Sequence, residues 1–239
     1  MKILKFKSKT SDEYKNYAND FMPNRKVQWT SIYYQASPII TLPDVFSVIE
    51  FGGGRDTTRA LSRHMGIEHI DVDVLDRFFP DETSSISDYP FKGKRYDMVC
   101  SFQCLEHNPF EDLDTLIPHM LKFSKKYLYI SVPYRGYNIS CFLNIKLPKI
   151  CFTKHLSIVP NWATYYKVNL QKIHEDVKKH PERFHHHHWW EVGMKGLPRN
   201  AFVKKIEGYG LKRISVFHNP FMPFHLFCLF EKHSPPTPT

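Results

Sequence analysis

The chain contains the segment Val48-Ile-Glu-Phe-Gly-Gly-Gly54, in which a short apolar run leads directly into three consecutive glycines. The apolar run predicts a buried strand over 46–50. Glycine has no Cβ and tolerates positive φ, so a glycine turn after a strand lets the backbone approach a ligand closely. In an open α/β sheet, ligands bind at the carboxyl ends of the strands. We therefore expect a ligand site directly after this strand.

Predicted strands and helices alternate after this segment. The strands are 68–73, 95–101 and 127–132, and the helices are 57–65 and 112–123. Such alternation is typical of parallel βαβ units and predicts a Rossmann-like, doubly wound α/β fold. A helix over 198–209 and two strands, 211–217 and 225–231, follow at the end, and their short connection predicts an antiparallel C-terminal hairpin.

The regular rhythm breaks between Tyr134 and His188, where prolines and aromatic residues cluster. This break predicts an inserted lobe within one α/β domain. The predicted N-terminal segment, 1–45, is helical and aromatic, contains a short helix around 12–19 and covers the acceptor. It is followed by a cofactor-binding core, 46–133, and an acceptor lobe, 134–196. A closing helix and hairpin, 197–232, and a disordered tail, 233–239, complete the predicted parts.

Composition bounds the partners and the location. The formal net charge is +9, but the lysines are scattered, so ordinary surface charge is favoured over nucleic-acid binding. Five cysteines without a CxxC pair favour a reducing, cytoplasmic location. We expect no signal peptide and no membrane span. The apolar stretch 139–152, with Lys146 and Lys149, leaves contact with a membrane surface open, although Pro148 disfavours a long amphipathic helix there.

Asp73 ends the second predicted strand, at the spacing of about 20 residues expected for a carboxylate that binds a ribose. Dinucleotide-binding folds share this feature, but their fingerprint needs a third glycine. Thr57 stands at that place here, so a cofactor without phosphates is favoured over a dinucleotide.

Two motifs resemble those of class I S-adenosylmethionine-dependent methyltransferases. The segment 48–54 resembles motif I, an acid followed by x-Gly-x-Gly, and the segment Tyr96-Asp-Met-Val-Cys-Ser-Phe-Gln-Cys-Leu-Glu-His107 resembles the motif of the fourth strand. The resemblance covers 46–133 and 197–232. It implies a mostly parallel seven-stranded sheet and S-adenosyl-L-methionine as the cofactor.

The resemblance also implies a set of cofactor-binding residues. An acid would orient the methionine ammonium, glycines would line the cofactor, a second acid would hold the ribose, and the remaining residues would border the adenine and the methionine. The candidates are Glu50, Phe51, Gly52, Gly53, Gly54, Asp73, Val74, Ser85, Ile86, Ser101 and Phe102. Ser85 stands where the family often has an acid, so Asp88 is a second candidate for the adenine contact.

Methyl transfer to a hydroxyl requires a group that accepts the hydroxyl proton, and histidine suits this near neutral pH. His107 follows the fourth strand, and His188 with Glu191 lies in the segment 184–193, FHHHHWWEVG. This segment resembles methyltransferases encoded with bacterial surface-polysaccharide genes, some of which share a C-terminal pattern like that of 219–225. The alternative is a packed aromatic corner with solvated histidines. We predict no metal site, because adjacent histidines supply tetrahedral ligands poorly.

The sequence therefore predicts a methyltransferase that acts on a small-molecule or glycan hydroxyl and leaves the oligomeric state open. Two alternatives remain. A methyltransferase of RNA or protein would use the net charge of +9, and a non-catalytic binding module would keep only the fold.

Overall fold

A computed structural model of the chain describes residues 26–54, 56–137, 139–158 and 167–233. The helix predicted around 12–19 and the tail after residue 233 lie outside these ranges. Within them, the central feature is a seven-stranded sheet. Its strands are β1 (Ser47–Phe51), β2 (Glu68–Asp73), β3 (Glu82–Thr83), β4 (Tyr96–Phe102), β5 (Ser124–Pro133), β8 (Leu211–Asn219) and β9 (Met222–Lys232).

The sheet order is β3-β2-β1-β4-β5-β9-β8. The pairs from β3 to β5 are parallel, while β5–β9 and β8–β9 are antiparallel. The predicted doubly wound, mostly parallel sheet with an antiparallel C-terminal hairpin is therefore confirmed. The chain builds outward from β1 to one side and then returns to build β4 and β5 on the other. This reversal opens a crevice between β1 and β4.

Five helices accompany the strands in the described residues. They are α1 (Lys26–Thr41), α2 (Asp56–His64), α3 (Leu113–Lys122), α4 (Leu170–Lys179) and α5 (Arg199–Glu207). Short 3₁₀ turns cover Asp76–Phe78, Leu105–His107, Phe110–Asp112 and Pro181–His186.

The core lies on both faces of the sheet, because successive side chains of a strand point to opposite sides. In β1, Val48 packs in one apolar cluster with Ile39 and Met98, while Ile49 packs in the other with Ile117. All of these are almost fully buried. The continuous apolar run of β1 thus reflects a strand covered on both faces.

Several elements differ from the sequence-based prediction, among them helix α1 and the two C-terminal strands. Helix α1 was not predicted, because Pro38 and β-branched and aromatic residues mask its helical period; it buries Ile32 and Ile39 in the core. The C-terminal strands are longer than predicted, so only Pro220 and Phe221 separate β8 from β9.

Between β5 and α5 the chain leaves the central sheet. There β6 (Ile139–Leu147) and β7 (Ile150–Ile158) form a separate two-stranded antiparallel sheet, followed by α4. The chain returns to the core where Tyr134 pairs with Val192. In the described ranges, each helix is too short or too polar to cross a bilayer.

Candidate functional site

A cavity of about 520 Å³ opens at the carboxyl ends of β1, β2 and β4. Most residues predicted for the site line it: Glu50, Gly52, Gly53, Gly54, Asp73, Val74, Ser85, Ile86, Phe102, His107 and His188. Three predicted residues do not. Phe51 and Ser101 are fully buried beside the cavity, and Glu191 is buried behind His188.

The glycine turn forms one wall of the cavity. Gly52 has φ 76° and Gly54 has φ 40°, values that favour glycine over any other residue. A Cβ on Gly52 would also overlap the side chain of Cys104 at the end of β4. The backbone N–H of Gly52 donates to the carbonyl of Val72 at 2.8 Å, which ties the turn to β2. The turn is therefore held by its neighbours in a shape that requires glycine.

Asp73 ends β2 and is 6% exposed, at the edge of the cavity. One carboxylate oxygen accepts from the N–H of Gly54 at 3.2 Å, and the other accepts from the N–H of Leu75 at 2.8 Å. Each carboxylate oxygen has two acceptor positions, so these bonds orient the group without exhausting its capacity. The arrangement suits a carboxylate that receives two neighbouring hydroxyls of a ligand.

Buried acids lie behind the glycine turn. Burial raises the pKa of Glu50 to about 8 and that of Asp71 to about 7. Arg59 offsets part of this, since its Nη1 lies 3.6 Å from Asp71 Oδ2. His69 Nε2 lies 3.0 Å from Glu50 Oε2, but burial lowers the pKa of His69 to about 4, so its ring supplies little positive charge. A bound cation would favour the ionised form of these acids.

His188 and Glu191 form a hydrogen-bonded pair in another part of the site. His188 Nδ1 lies 2.7 Å from Glu191 Oε1, and Glu191 Oε2 accepts from Arg135 Nε at 2.5 Å. Burial lowers the pKa of His188, but the hydrogen bond with Glu191 and the charges of Glu106 and Glu191 outweigh it, so the pKa is raised. Because Glu191 holds Nδ1, the ring presents its Nε2 edge for other contacts.

The histidine segment alternates sides. His186 and His188 line the cavity, whereas His187 Nε2 lies 2.7 Å from Asp176 Oδ2 on α4. The adjacent Trp190 is buried and donates from Nε1 to the carbonyl of Asn108 at 2.9 Å. The segment thus combines both sequence-based interpretations, because its tryptophans pack in the core while two of its histidines face the cavity.

His107, in the turn after β4, contacts the histidine segment 184–193. Its Nδ1 lies 3.0 Å from the carbonyl of His187, and its ring centre lies 5.1 Å from that of His188. The backbone N–H of Trp189 also donates to the carbonyl of Glu106 at 2.8 Å. These contacts fix the turn after β4 against a segment about 80 residues later in the chain.

Glu106 is a functional candidate that the sequence analysis did not include. It is fully buried and lines the cavity, and within the described residues neither carboxyl oxygen has a hydrogen-bond partner. Burial raises its pKa to about 8. Polar atoms of Glu106, His107 and His188 lie within 4.8 Å of one another, close enough for one small group or one metal ion to contact all three. The absence of a metal site stays a prediction.

The cavity also receives residues from the two ends of the described chain. Ser31 of α1 and His225 of β9 line it together, with Ser31 Oγ 2.9 Å from His225 Nδ1. In the sequence, only the pattern at 219–225 singles out His225, and that pattern by itself predicts no contact with Ser31. Helix α1 therefore contributes to the wall of the cavity, beside Phe224.

By sequence, the chain matches no protein-family profile and no curated protein. Solved structures match it in fold. The 1,6-didemethyltoxoflavin-N1-methyltransferase of Burkholderia thailandensis, with bound 1,6-didemethyltoxoflavin and S-adenosylhomocysteine, has a TM-score of 0.54 at 12% identity, over 94% of this chain and 87% of its own. Magnesium protoporphyrin IX methyltransferase from Synechocystis PCC 6803, with bound S-adenosylhomocysteine, has a TM-score of 0.53 at 13% identity, over 92% and 93%.

The glycopeptide N-methyltransferase MtfA, complexed with S-adenosylmethionine, has a TM-score of 0.51 at 11% identity, over 85% of this chain and 93% of its own. These proteins are alike in fold and in carrying the same cofactor or its product. The chain has the fold of the class I S-adenosylmethionine-dependent methyltransferases.

Proposed function

We propose that the protein is an S-adenosylmethionine-dependent methyltransferase that methylates a hydroxyl of a small molecule or glycan. The observation that carries the proposal is a cavity at the sheet's switch point, with a glycine turn on one strand end and the buried Asp73 on the next. The resemblance of the segment 184–193 further supports an acceptor from polysaccharide biosynthesis, handled in the cytoplasm.

The cofactor would lie along the glycine turn. Asp73 would accept hydrogen bonds from the ribose hydroxyls, and Val74, Ser85 and Ile86 would border the adenine. Glu50 would attract the methionine ammonium, and the acidic wall would complement the positive sulfonium. Phe51 and Ser101 would support the methionine side from beneath, since both are buried there, while Phe102 would contact it.

The acceptor would enter from the side of 134–196, next to Glu106, His107 and His188. The cofactor supplies an activated methyl group on its sulfonium sulfur. His188 Nε2 would accept the proton of the acceptor hydroxyl as its oxygen takes the methyl group from the sulfonium sulfur, which would keep the electron pair of the broken bond. Glu191 holds the ring through Nδ1 and stabilises the imidazolium that forms. His107 would orient the acceptor.

Replacing Asp73 by alanine tests the cofactor site. We expect the affinity for S-adenosylmethionine, measured by isothermal titration calorimetry, to fall at least about 100-fold, because two hydrogen bonds to a charged group are lost. Asp76→Ala is the matched control, since that acid is exposed and does not itself line the cavity. Circular dichroism checks that the variant is folded. Undiminished affinity in Asp73→Ala would overturn the ribose assignment.

Replacing His188 by alanine tests the proton acceptor. With methyl-labelled cofactor and a panel of nucleotide sugars and polysaccharide fragments, we expect turnover to fall about 100-fold or more while cofactor affinity stays unchanged. His187→Ala is the control, because the neighbouring ring faces Asp176. Full turnover in His188→Ala would eliminate the residue as the base. Loss of wild-type turnover on adding a chelator would also contradict the proposed role.

A further inference from the structure

The hairpin of β6 and β7 stands apart from the central sheet and is not explained by methyl transfer. Its two strands pair only with each other in the described residues, over nine cross-strand pairs from Ile139–Ile158 to Leu147–Ile150. A two-stranded hairpin is marginal in water unless one face is covered. The hairpin therefore needs a partner for whichever face is apolar.

One face of the hairpin is apolar and exposed. Alternate residues of a strand share a face, and directly paired residues of two strands lie on the same side. The register pairs Ile145 with Phe152 and Leu143 with Lys154. The large apolar side chains described on this face are each at least 40% exposed: Ile139, Leu143, Ile145, Leu147 and Phe152. With strands of nine residues the face is about 30 Å long. Contiguous apolar surface of this kind marks an interaction site.

The charge of the hairpin limits what can cover that face. Residues 139–158 contain three lysines, Lys146, Lys149 and Lys154, and neither Asp nor Glu. All three lysines are exposed. A two-fold contact with a second copy would place the same patch on both sides and bring Lys154, which shares that face, and Lys149 of the turn together with their copies, without an acid from either hairpin. This like-charge contact disfavours a second copy of the chain.

An anionic bilayer surface would both cover the apolar face and attract the lysines of the hairpin. Its interfacial region accepts apolar side chains, and its headgroups attract Lys149 and Lys154, whose long stems can lie along the apolar face while their ammonium groups reach the phosphates. The net charge of +9 adds long-range attraction. We propose that the β6–β7 hairpin docks the protein on the surface of membranes containing anionic lipids.

Vesicle sedimentation tests this proposal directly. The full chain is mixed with vesicles of phosphatidylcholine alone or of phosphatidylcholine with phosphatidylglycerol. We expect binding to the anionic vesicles and at least about tenfold weaker binding to the neutral ones. Two double variants should each lose at least about tenfold in affinity for anionic vesicles: Ile145→Ser with Phe152→Ser, and Lys149→Glu with Lys154→Glu. The second keeps the apolar face intact, so the proposal stays testable if the first misfolds.

Matched controls separate the hairpin from the overall charge. Lys92→Glu with Lys122→Glu makes the same charge change near the amino ends of β4 and β5, and Phe46→Ser removes an exposed apolar side chain just before β1. Phe46→Ser should bind like the wild type, and the lysine control should lose at most about threefold, because it weakens only the long-range attraction. The proposal is overturned if no sedimentation occurs, if both hairpin variants bind normally, or if the lysine control loses as much as the hairpin. A dimer in light scattering that the hairpin variants dissociate, without vesicle binding, would assign the face to a second copy instead.

Discussion

Glu50 is a buried acid that faces the cavity next to the glycine turn, with Asp71, Asp73 and Arg59 around it. Burial raises the pKa of Glu50 to about 8, which favours the protonated carboxyl in the free protein. A cationic ligand favours the ionised form, so binding would release a proton. The affinity for S-adenosylmethionine should therefore rise with pH between about 6 and 7.5, by at most about tenfold per pH unit for each proton released.

Calorimetry in buffers of different ionisation enthalpy measures this proton release. The range stays below the pKa of the ligand's own α-amino group, which would otherwise contribute. Glu50→Gln should bind more weakly and with a flatter pH profile, while Asp71 retains part of the dependence because burial raises its pKa to about 7. An affinity that falls as pH rises over this range would contradict the assignment of Glu50.

Single residues differed in how far the sequence could assign them. The spacing of about 20 residues after the glycine strand predicted a ribose-binding carboxylate at Asp73. Asp73 ends β2 and lines the cavity, and its role there stays a prediction. The predicted pairing of His188 with Glu191, three positions apart in the chain, is present as a hydrogen bond of 2.7 Å, and its catalytic role stays a prediction. Glu106 was missed, since nothing in a Leu-Glu-His segment indicates that its carboxyl is buried without a partner, which only the folded chain reveals.

The turn between β1 and α2 carries a prediction about backbone shape. Gly52→Ala introduces a Cβ at φ 76° and against Cys104. We expect the free energy of unfolding, measured in urea, to fall by about 2–4 kcal/mol from strain and overlap together, and cofactor affinity to fall with it.

Gly66→Ala is the matched control for that turn. Gly66 has φ 79°, but a Cβ there would meet nothing within 4 Å. Gly66→Ala should lower the free energy of unfolding by about 1 kcal/mol and leave cofactor affinity unchanged. The difference between the two variants isolates the contact with Cys104. Equal losses in both would indicate that the turn is not closely packed.

Strands and helices were predicted well where their apolar residues follow a regular pattern. Strands β2 and β4 agree with the predictions to within a residue at either end, because each is a continuous or alternating apolar run. Helix α1 was missed because its buried residues are separated by aromatic and β-branched side chains, and Pro38 interrupts the pattern. The pairing of β6 with β7 was also missed, since Pro148 and the apolar run there resembled neither a helix nor an ordinary buried strand.

The site depends on the strand order of the sheet and on distant segments that close the cavity. The sequence predicted parallel βαβ units but no strand order, which depends on packing between distant segments. The order places β1 between β2 and β4, so residues from all three strand ends reach one cavity. The contributions of α1, the histidine segment and β9 close that cavity from parts of the chain that no local pattern connects.

A crystal structure of the protein with S-adenosylhomocysteine would locate the cofactor site. We expect a nucleoside lying across the ends of β1 and β2, with both ribose hydroxyls within hydrogen-bond distance of the Asp73 carboxylate and the amino-acid end beside Gly52–Gly54. A ligand bound elsewhere on the protein, or an Asp73 side chain turned away from the ribose into solvent, would contradict it.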